Sequence, residues 1–318
     1  MQTTKLGRTE LDVSVAGLGC GGHARLGQSY GHSTDQSVAL VRTALDVGVN
    51  FVDTAAVYGT ENIVGQAIST CREWVIVSTK QGIVQPGTSA LGQAFLSAEM
   101  FTTRVEDSLR RLGTDYIDVM HLHGVMADQY SYCLAELVPA MVKLRDQGKI
   151  RFIGLTERFI EDTNHTMLSR ALKDDIWDVI MTGFNMINPS ARHSILKKTQ
   201  ENNVGTLNMF AVRRALGSRA ATVEIITELQ KGDQIDLSDE QAENALEFLT
   251  DPDVASSVLE AAYRFCRHEP GIDIVLTGTG SAKHLTENIA ALKMPPLPDK
   301  VQDRLRDIFG NVDSVSGN

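Results

Sequence analysis

The segment Val49-Asn50-Phe51-Val52-Asp53 carries an apolar run to an aspartate, and Tyr58 follows five residues later. Two later runs end in a similar way: Trp74 to Thr79 leads to Lys80, and Tyr116 to Leu122 leads to His123. Three consecutive strands finishing on ionisable groups would assemble a proton-transfer site at one end of a sheet. A tyrosine with a solution pKa of about 10 is a poor acid or base near neutrality until a cation lies beside it. Lys80 can be that cation, Asp53 can pair with it and keep it charged, and His123 can hydrogen-bond a carbonyl oxygen or relay its proton. Such a group protonates an oxygen on which negative charge develops. It supplies no nucleophile, and no Ser/His/Asp or Cys/His arrangement is evident in the sequence. Taken singly, Asp53 would serve as a cap, Lys80 as a solvated charge, His123 as a satisfied strand-end histidine and Tyr58 as packing. Their joint placement at strand ends argues for chemistry.

The elements that must position these groups follow from the hydrophobic pattern. Strands are predicted at 13–19, 49–53, 74–79, 116–122, 150–155, 177–182, 204–209 and 272–276. Helices are predicted from Ser33/Thr34 with an apolar face of Val38, Val41 and Leu45, then at 61–70, 98–112, 132–147, 159–172, 189–201, 253–268 and 281–292. Strict alternation of eight and eight implies a parallel sheet closed into a (β/α)8 TIM barrel rather than an open doubly wound sheet. The chain reads as one domain over 1–318: an N-terminal β-hairpin plug at 1–12, the barrel at 13–293, and a C-terminal tail at 294–318 with a helix near 299–309. Large loops at 81–97 and 210–252 follow the third and seventh strands and are expected to surround the mouth.

Composition narrows the partners. The 40 acidic residues against 30 basic, with no Lys/Arg cluster, argue against nucleic acid and anionic membrane. Cys20, Cys71, Cys133 and Cys266 are widely spaced and read as core residues, with no metal-site spacing. The amino terminus has no apolar signal region and no run approaches the roughly 18 apolar residues of a membrane span, so a cytoplasmic protein is expected. Gly17-Leu18-Gly19-Cys20-Gly21-Gly22 satisfies G-x-G-x-x-G, but a dinucleotide fold would need a helix beginning inside it, and His23 to Ser33 is polar and aperiodic. These glycines are read instead as letting the first loop approach a ligand.

The chain resembles the aldo-keto reductases. The resemblance rests on Gly48 through Gly59 with Glu61 and Gly65, on Ser78-Thr79-Lys80, on Leu112-Gly113-Thr114-Asp115-Tyr116-Ile117-Asp118 leading to His123, on Gly148 through Gly154, and on Glu287-Asn288. The opening Lys5-Leu6-Gly7-Arg8-Thr9 is similar too. It implies a barrel that binds NADPH, with NADH an open alternative, in extended form and passes a hydride to an aldehyde or ketone. Tyr58 would be the general acid, Lys80 would lower its pKa, Asp53 would support Lys80, and His123 would position the carbonyl. His121 faces the same way but lies deeper, and the family spacing selects His123.

Beyond these four residues the sequence departs from the family. Where relatives carry Ser-Asn and Gln for the carboxamide, this chain has Thr156-Glu157 and Met181, a poorer set of donors and acceptors. Met209 or Phe210 is expected to pack on the nicotinamide, with Arg213 and Arg214 near the pyrophosphate. Cys20 and Gly21 of the first loop, and Gly278, Thr279, Ser281, His284, Glu287 and Asn288, are the remaining expected cofactor contacts. Ser281 is also suited to be the plain amino-terminal cap of the last barrel helix, the reading favoured for it taken singly. Gly124 stands where relatives often have tryptophan, so a wider, less aromatic pocket walled by His23, Tyr30, Tyr130 or the 210–252 insertion is expected. The favoured reading is an NAD(P)(H)-dependent oxidoreductase acting on a carbonyl or alcohol, for instance a sugar or another polyhydroxylated compound. Two alternatives stay open: a nicotinamide-binding or redox-sensing protein without turnover, and a Schiff-base lyase using Lys80.

Overall fold

The computed structural model describes residues 1–85 and 94–318. Eight strands form a closed parallel barrel: β3 (Ala16–Gly19), β4 (Phe51–Asp53), β5 (Ile76–Gly82), β6 (Ile117–Val125), β7 (Ile150–Glu157), β8 (Val179–Gly183), β9 (Gly205–Met209) and β10 (Ile274–Thr277), with β10 pairing back onto β3. Each expected strand is present, because short apolar runs buried on both faces need no polar alternation. The register sets Asp53 beside Ser78, Lys80 beside His121 and Gly82 beside His123, so the ionisable strand ends share one rim.

The hairpin is longer than predicted. Strand β1 (Thr3–Lys5) pairs antiparallel with β2 (Asp12–Ser14), so Val13 and Ser14 belong to the plug and the first barrel strand begins at Ala16. Leu6, Leu11 and Val13 enter the barrel interior and pack in one cluster with Phe51, Val119, Val179, Met181, Leu207 and Ile274. Gly7 has a positive φ of 46°, and a Cβ there would lie 2.2 Å from the Gly205 nitrogen. Only glycine allows the hairpin turn to press against the start of β9.

Most helices follow their expected capping. Ser33 and Gln36 form a capping box on Thr34–Asp46, while Ser97 starts and Gly113, at φ 63°, ends Ala98–Leu112. That second helix buries Phe101, Val105 and Leu112, each worth about 1.5–3 kcal/mol relative to exposure. Some helices depart from their expected bounds: the 132–147 stretch is already helical from Tyr130, and the expected 253–268 helix is Val258–Arg267. Asp162 accepts the backbone N–H groups of Thr166 and Met167, so the expected 159–172 helix is Thr166–Ala171. Pro139 removes a donor inside the 132–147 stretch, which runs as a π turn at Cys133–Leu137 before Val138–Asp146. The 210–252 insertion carries helices Arg219–Lys231 and Asp239–Glu243, and the tail carries Asp299–Phe309. Part of the expected 81–97 loop lies outside the described residues. Among the described residues, no helix is long and apolar enough to cross a membrane.

Candidate active site

Strand ends build the centre. Asp53 terminates β4, and the chain then turns through the short helix Ala56–Tyr58, which stops at Gly59 with φ 70° and carries Tyr58 back over the rim. Lys80 donates from Nζ to Asp53 Oδ2 at 2.6 Å and to the Thr54 carbonyl at 2.8 Å, while Ser78 Oγ donates to Asp53 Oδ1 at 2.8 Å. The Lys80 ammonium lies 5.1 Å from the Tyr58 ring centroid, and Tyr58 Oη lies 3.4 Å from His123 Nε2. Lys80 and Asp53 are 1% and 4% exposed, so their pairing faces little screening, whereas Tyr58 and His123 remain partly open to the mouth.

The two histidines of β6 separate by depth. His121 is fully buried, neither ring nitrogen has a hydrogen-bond partner among the described residues, and its ring fills the space that a Gly154 side chain would need. The β6–β7 register shifts between Leu122 and Val125, where Gly124 adopts φ 63° and its N–H donates to Thr156 Oγ1 at 2.8 Å. Such a bulge re-aims the strand end, and His123 meets Tyr58 edge-on at 5.6 Å between ring centroids.

Charge follows burial. Burial would push the Lys80 ammonium down, but Asp53 and Tyr58 together hold it above the ordinary lysine value. Burial raises the Tyr58 phenol above its usual value, with the Lys80 charge opposing that rise, so the net direction is opposite to the simple sequence expectation. Burial, then Lys80, then Arg158 push His123 down to about 3, which leaves it neutral near pH 7. Burial, followed by Lys80 and His123, also holds His121 well below the usual histidine range.

Of the expected contacts, some adjoin this centre and others sit at the loop after β10. Gly21 lies against the Tyr58 ring, and a Cβ there would stand 2.4 Å from Cε2. Cys20 is fully buried, burial raises its thiol, and its backbone N–H donates to the Asp53 carbonyl at 2.7 Å. Thr156 is buried beside Gly124, and Met209 is partly buried against the interior cluster. Gly278 and Thr279 lead into Ser281, which is the N-cap of Ala282–Lys293, and His284 lies exposed in that helix's first turn.

Other expected contacts lie elsewhere. Tyr130 is 1% exposed, donates to Asp174 and accepts from Trp177, so it belongs to the packing around the start of β8 and walls no pocket. Met181 is buried in the interior cluster, paired in register with Thr156. Glu157 is turned away from the barrel interior: its Oε1 accepts from Gly183 N–H at 2.8 Å, Thr182 Oγ1 at 2.9 Å and His165 Nδ1 at 2.9 Å. Asn288 donates to Thr277 Oγ1, and Glu287 faces Lys283. Arg214 pairs with Glu224, whereas Arg213 lies 3.9 Å from the Phe210 ring centroid and bonds Asn318. Phe210 meets Phe159 edge-on at 5.8 Å between ring centroids. Tyr30 packs edge-on against His23 and reaches Gly280, so the first loop and the β10 loop meet.

Sequence reasoning missed the buried line Glu157, His165, Ser190. His165 Nε2 lies 3.1 Å from Ser190 Oγ, which donates to Asn188 Oδ1 at 2.6 Å. The order resembles a hydrolytic triad, but the serine hydroxyl is committed to Asn188, and Asn188 in turn donates to the carbonyls of Thr163 and Val315. The line ties the ends of β7 and β8 to the tail. Its signal was invisible because these residues are brought together by His165 at φ 61°, a left-handed turn that no local motif announced.

An eight-stranded parallel barrel with these groups at the carboxyl ends of neighbouring strands has the architecture of a barrel enzyme. Residues 18–309 match the model of the aldo/keto reductase family, and the chain belongs to that family. It is 26% identical over 294 residues to the uncharacterized oxidoreductase YqkF of Bacillus subtilis, covering 92% of this chain and 91% of that one. It is 37% identical over 158 residues to L-galactose dehydrogenase of Arabidopsis thaliana, covering 48% and 47%. A solved aldo-keto reductase from Klebsiella pneumoniae in complex with NADPH superposes with a TM-score of 0.67 at 24% identity, covering 98% of this chain and 96% of that one.

Proposed function

We infer that the protein is an NADP(H)-linked oxidoreductase that interconverts an aldehyde or ketone with its alcohol, NADH being the alternative cofactor. The observation that carries this reading is Tyr58 Oη at 3.4 Å from His123 Nε2 above the buried Lys80–Asp53 pair. A carbonyl oxygen held by both groups would receive the Tyr58 proton during reduction and return it during oxidation. Lys80 stabilises the phenolate so formed, and Asp53 keeps the ammonium in place. Neutral His123 orients the oxygen by hydrogen bonding and keeps a second positive charge away from Lys80.

The residues fit the cofactor. The glycines at 19, 278 and 280 lie where the first loop and the β10 loop approach one another, and the helix beginning at Ala282 presents its N-terminal N–H groups beside Thr279 and Ser281. Thr156 would hold the carboxamide and Met209 would pack on the ring, while Arg213 would reach the pyrophosphate after leaving Asn318. When bound, the nicotinamide supplies or accepts the hydride.

The L-galactose dehydrogenase relative supports a sugar or similar hydroxylated carbonyl compound as the substrate class. Purified protein assayed with NADPH and NADH against aldehydes, ketones and aldoses tests the reading. Turnover that falls about 10²- to 10⁴-fold in Tyr58→Phe supports it. Tight nicotinamide binding with no turnover would favour the binding-protein alternative, which the engagement of Glu157 by Gly183, Thr182 and His165 motivates.

A further inference from the structure

The residue beside the catalytic histidine is Gly124, and the stem of Arg158 crosses the space above it. A Cβ at Gly124 would stand 3.0 Å from Arg158 Cγ and 3.6 Å from Cδ. Both residues sit where β6 and β7 leave the barrel, stitched by the Gly124 N–H to Thr156 Oγ1 bond. The arginine stem therefore lies beside the strand end that carries His123, and the Arg158 charge adds to burial and the Lys80 charge in pushing His123 down. Among the described residues, its side-chain partner is Glu161, accepting from Nη2 at 2.8 Å, and the two side chains are 47% and 46% exposed. An ion pair this exposed is weakly held and can be exchanged. The neighbouring carboxylate, Asp162, is already committed to the N–H groups of Thr166 and Met167.

We propose that Arg158 selects the substrate: it receives a carboxylate or phosphate joined by a short chain to the reacting carbonyl, displacing Glu161. This rests on the oxidoreductase reading above and narrows its substrate class to anionic carbonyl compounds. Two features carry it. A guanidinium offers a planar fork that matches carboxylate or phosphate with two parallel hydrogen bonds, so its placement beside His123 defines distance as well as charge. The glycine at 124, with φ 63°, lets the arginine stem lie directly against the strand end that carries His123, because any side chain there would meet that stem. Lys80 cannot take this role, since it is 1% exposed and bonded to Asp53 and Thr54.

The test compares matched pairs: butanal with succinic semialdehyde for a carboxylate, and glyceraldehyde with glyceraldehyde 3-phosphate for a phosphate. The measured quantity is the ratio of kcat/KM, anionic over neutral, for the wild type, Arg158→Met, Arg158→Lys and Glu161→Gln. The wild type is expected to favour the anionic member of at least one pair by about 10- to 100-fold. Arg158→Met should bring that ratio towards one through KM, Arg158→Lys should keep part of it, and Glu161→Gln should raise it. Added salt should reduce it. A wild-type ratio near one in both pairs, or an unchanged ratio in Arg158→Met, overturns the proposal. If no member of either pair is turned over with either nicotinamide, the oxidoreductase reading fails, and calorimetric titration of the same compounds decides the role of Arg158. Anion-selective binding lost in Arg158→Met upholds it, and equal binding overturns it.

Discussion

Lys80 Nζ and Asp53 Oδ2 lie 2.6 Å apart in the barrel rim, with both side chains almost completely removed from water. Breaking such a pair from one side leaves a buried charge without its counterion, at a cost of about 3–5 kcal/mol. Asp53→Asn is therefore expected to lower the melting temperature and to release the Lys80 proton more easily. Without the ammonium the Tyr58 phenolate loses its support, so kcat should fall by about 10² or more. Thermal melts and steady-state kinetics on the same preparation check both parts.

Stability should depend on acid through the β6 histidines. Burial and the Lys80 charge push His123 down to about 3 and His121 well below its usual range, against about 6.5 in the unfolded chain. The folded state resists protonation at both, so their contribution is complete above pH 6.5 and is lost as pH falls from there towards the folded values. A fully buried histidine of this kind contributes a slope of about 1.4 kcal/mol per pH unit in that window, and partly exposed His123 less. Denaturant titrations between pH 6.5 and 4 should give a shallower slope for His123→Gln. An unchanged slope would contradict the assignment.

Gly154 is required by His121. A Cβ at position 154 would stand 2.2 Å from His121 Nδ1, and the ring is held by β6 in a packed interior. Gly154→Ala should destabilise the fold by about 1–3 kcal/mol. The double variant with His121→Ala relieves the clash and should recover more stability than additivity predicts, as an equilibrium double-mutant cycle would show.

Glu157 acts as a tie between β7, β8 and His165. Glu157→Ala removes the acceptor of three buried donors and should cost about 2–5 kcal/mol. Glu157→Gln keeps an acceptor and should cost less, with nicotinamide affinity changed less than about 3-fold. A large loss of nicotinamide affinity at preserved stability would instead mean that Glu157 reaches the carboxamide.

The barrel was legible because each strand is a short apolar run between helices with clear caps, as at Ser97 and Gly113. The centre was legible because Asp53, Lys80 and His123 end consecutive strands, so local order already places them on one rim. Tyr130 and Glu157 were misplaced for a shared reason. Their roles depend on partners distant in sequence: Asp174 and Trp177 for Tyr130, and His165 and Gly183 for Glu157. The hairpin boundary slipped because Val13 alternates equally well with either strand, and only its burial under the barrel assigns it to the plug. Arg158 was unremarkable as a residue type. Its meaning appears only when Gly124 is seen beneath its stem.

The most direct test of the central claim is the kcat of Tyr58→Phe beside the wild type, using the best carbonyl substrate and NADPH, with nicotinamide binding measured on both. The phenylalanine keeps the ring against Gly21 and removes only the hydroxyl facing His123. The account predicts a fall of about 10²- to 10⁴-fold in kcat with nicotinamide affinity nearly unchanged. Equal turnover in the two proteins would contradict it.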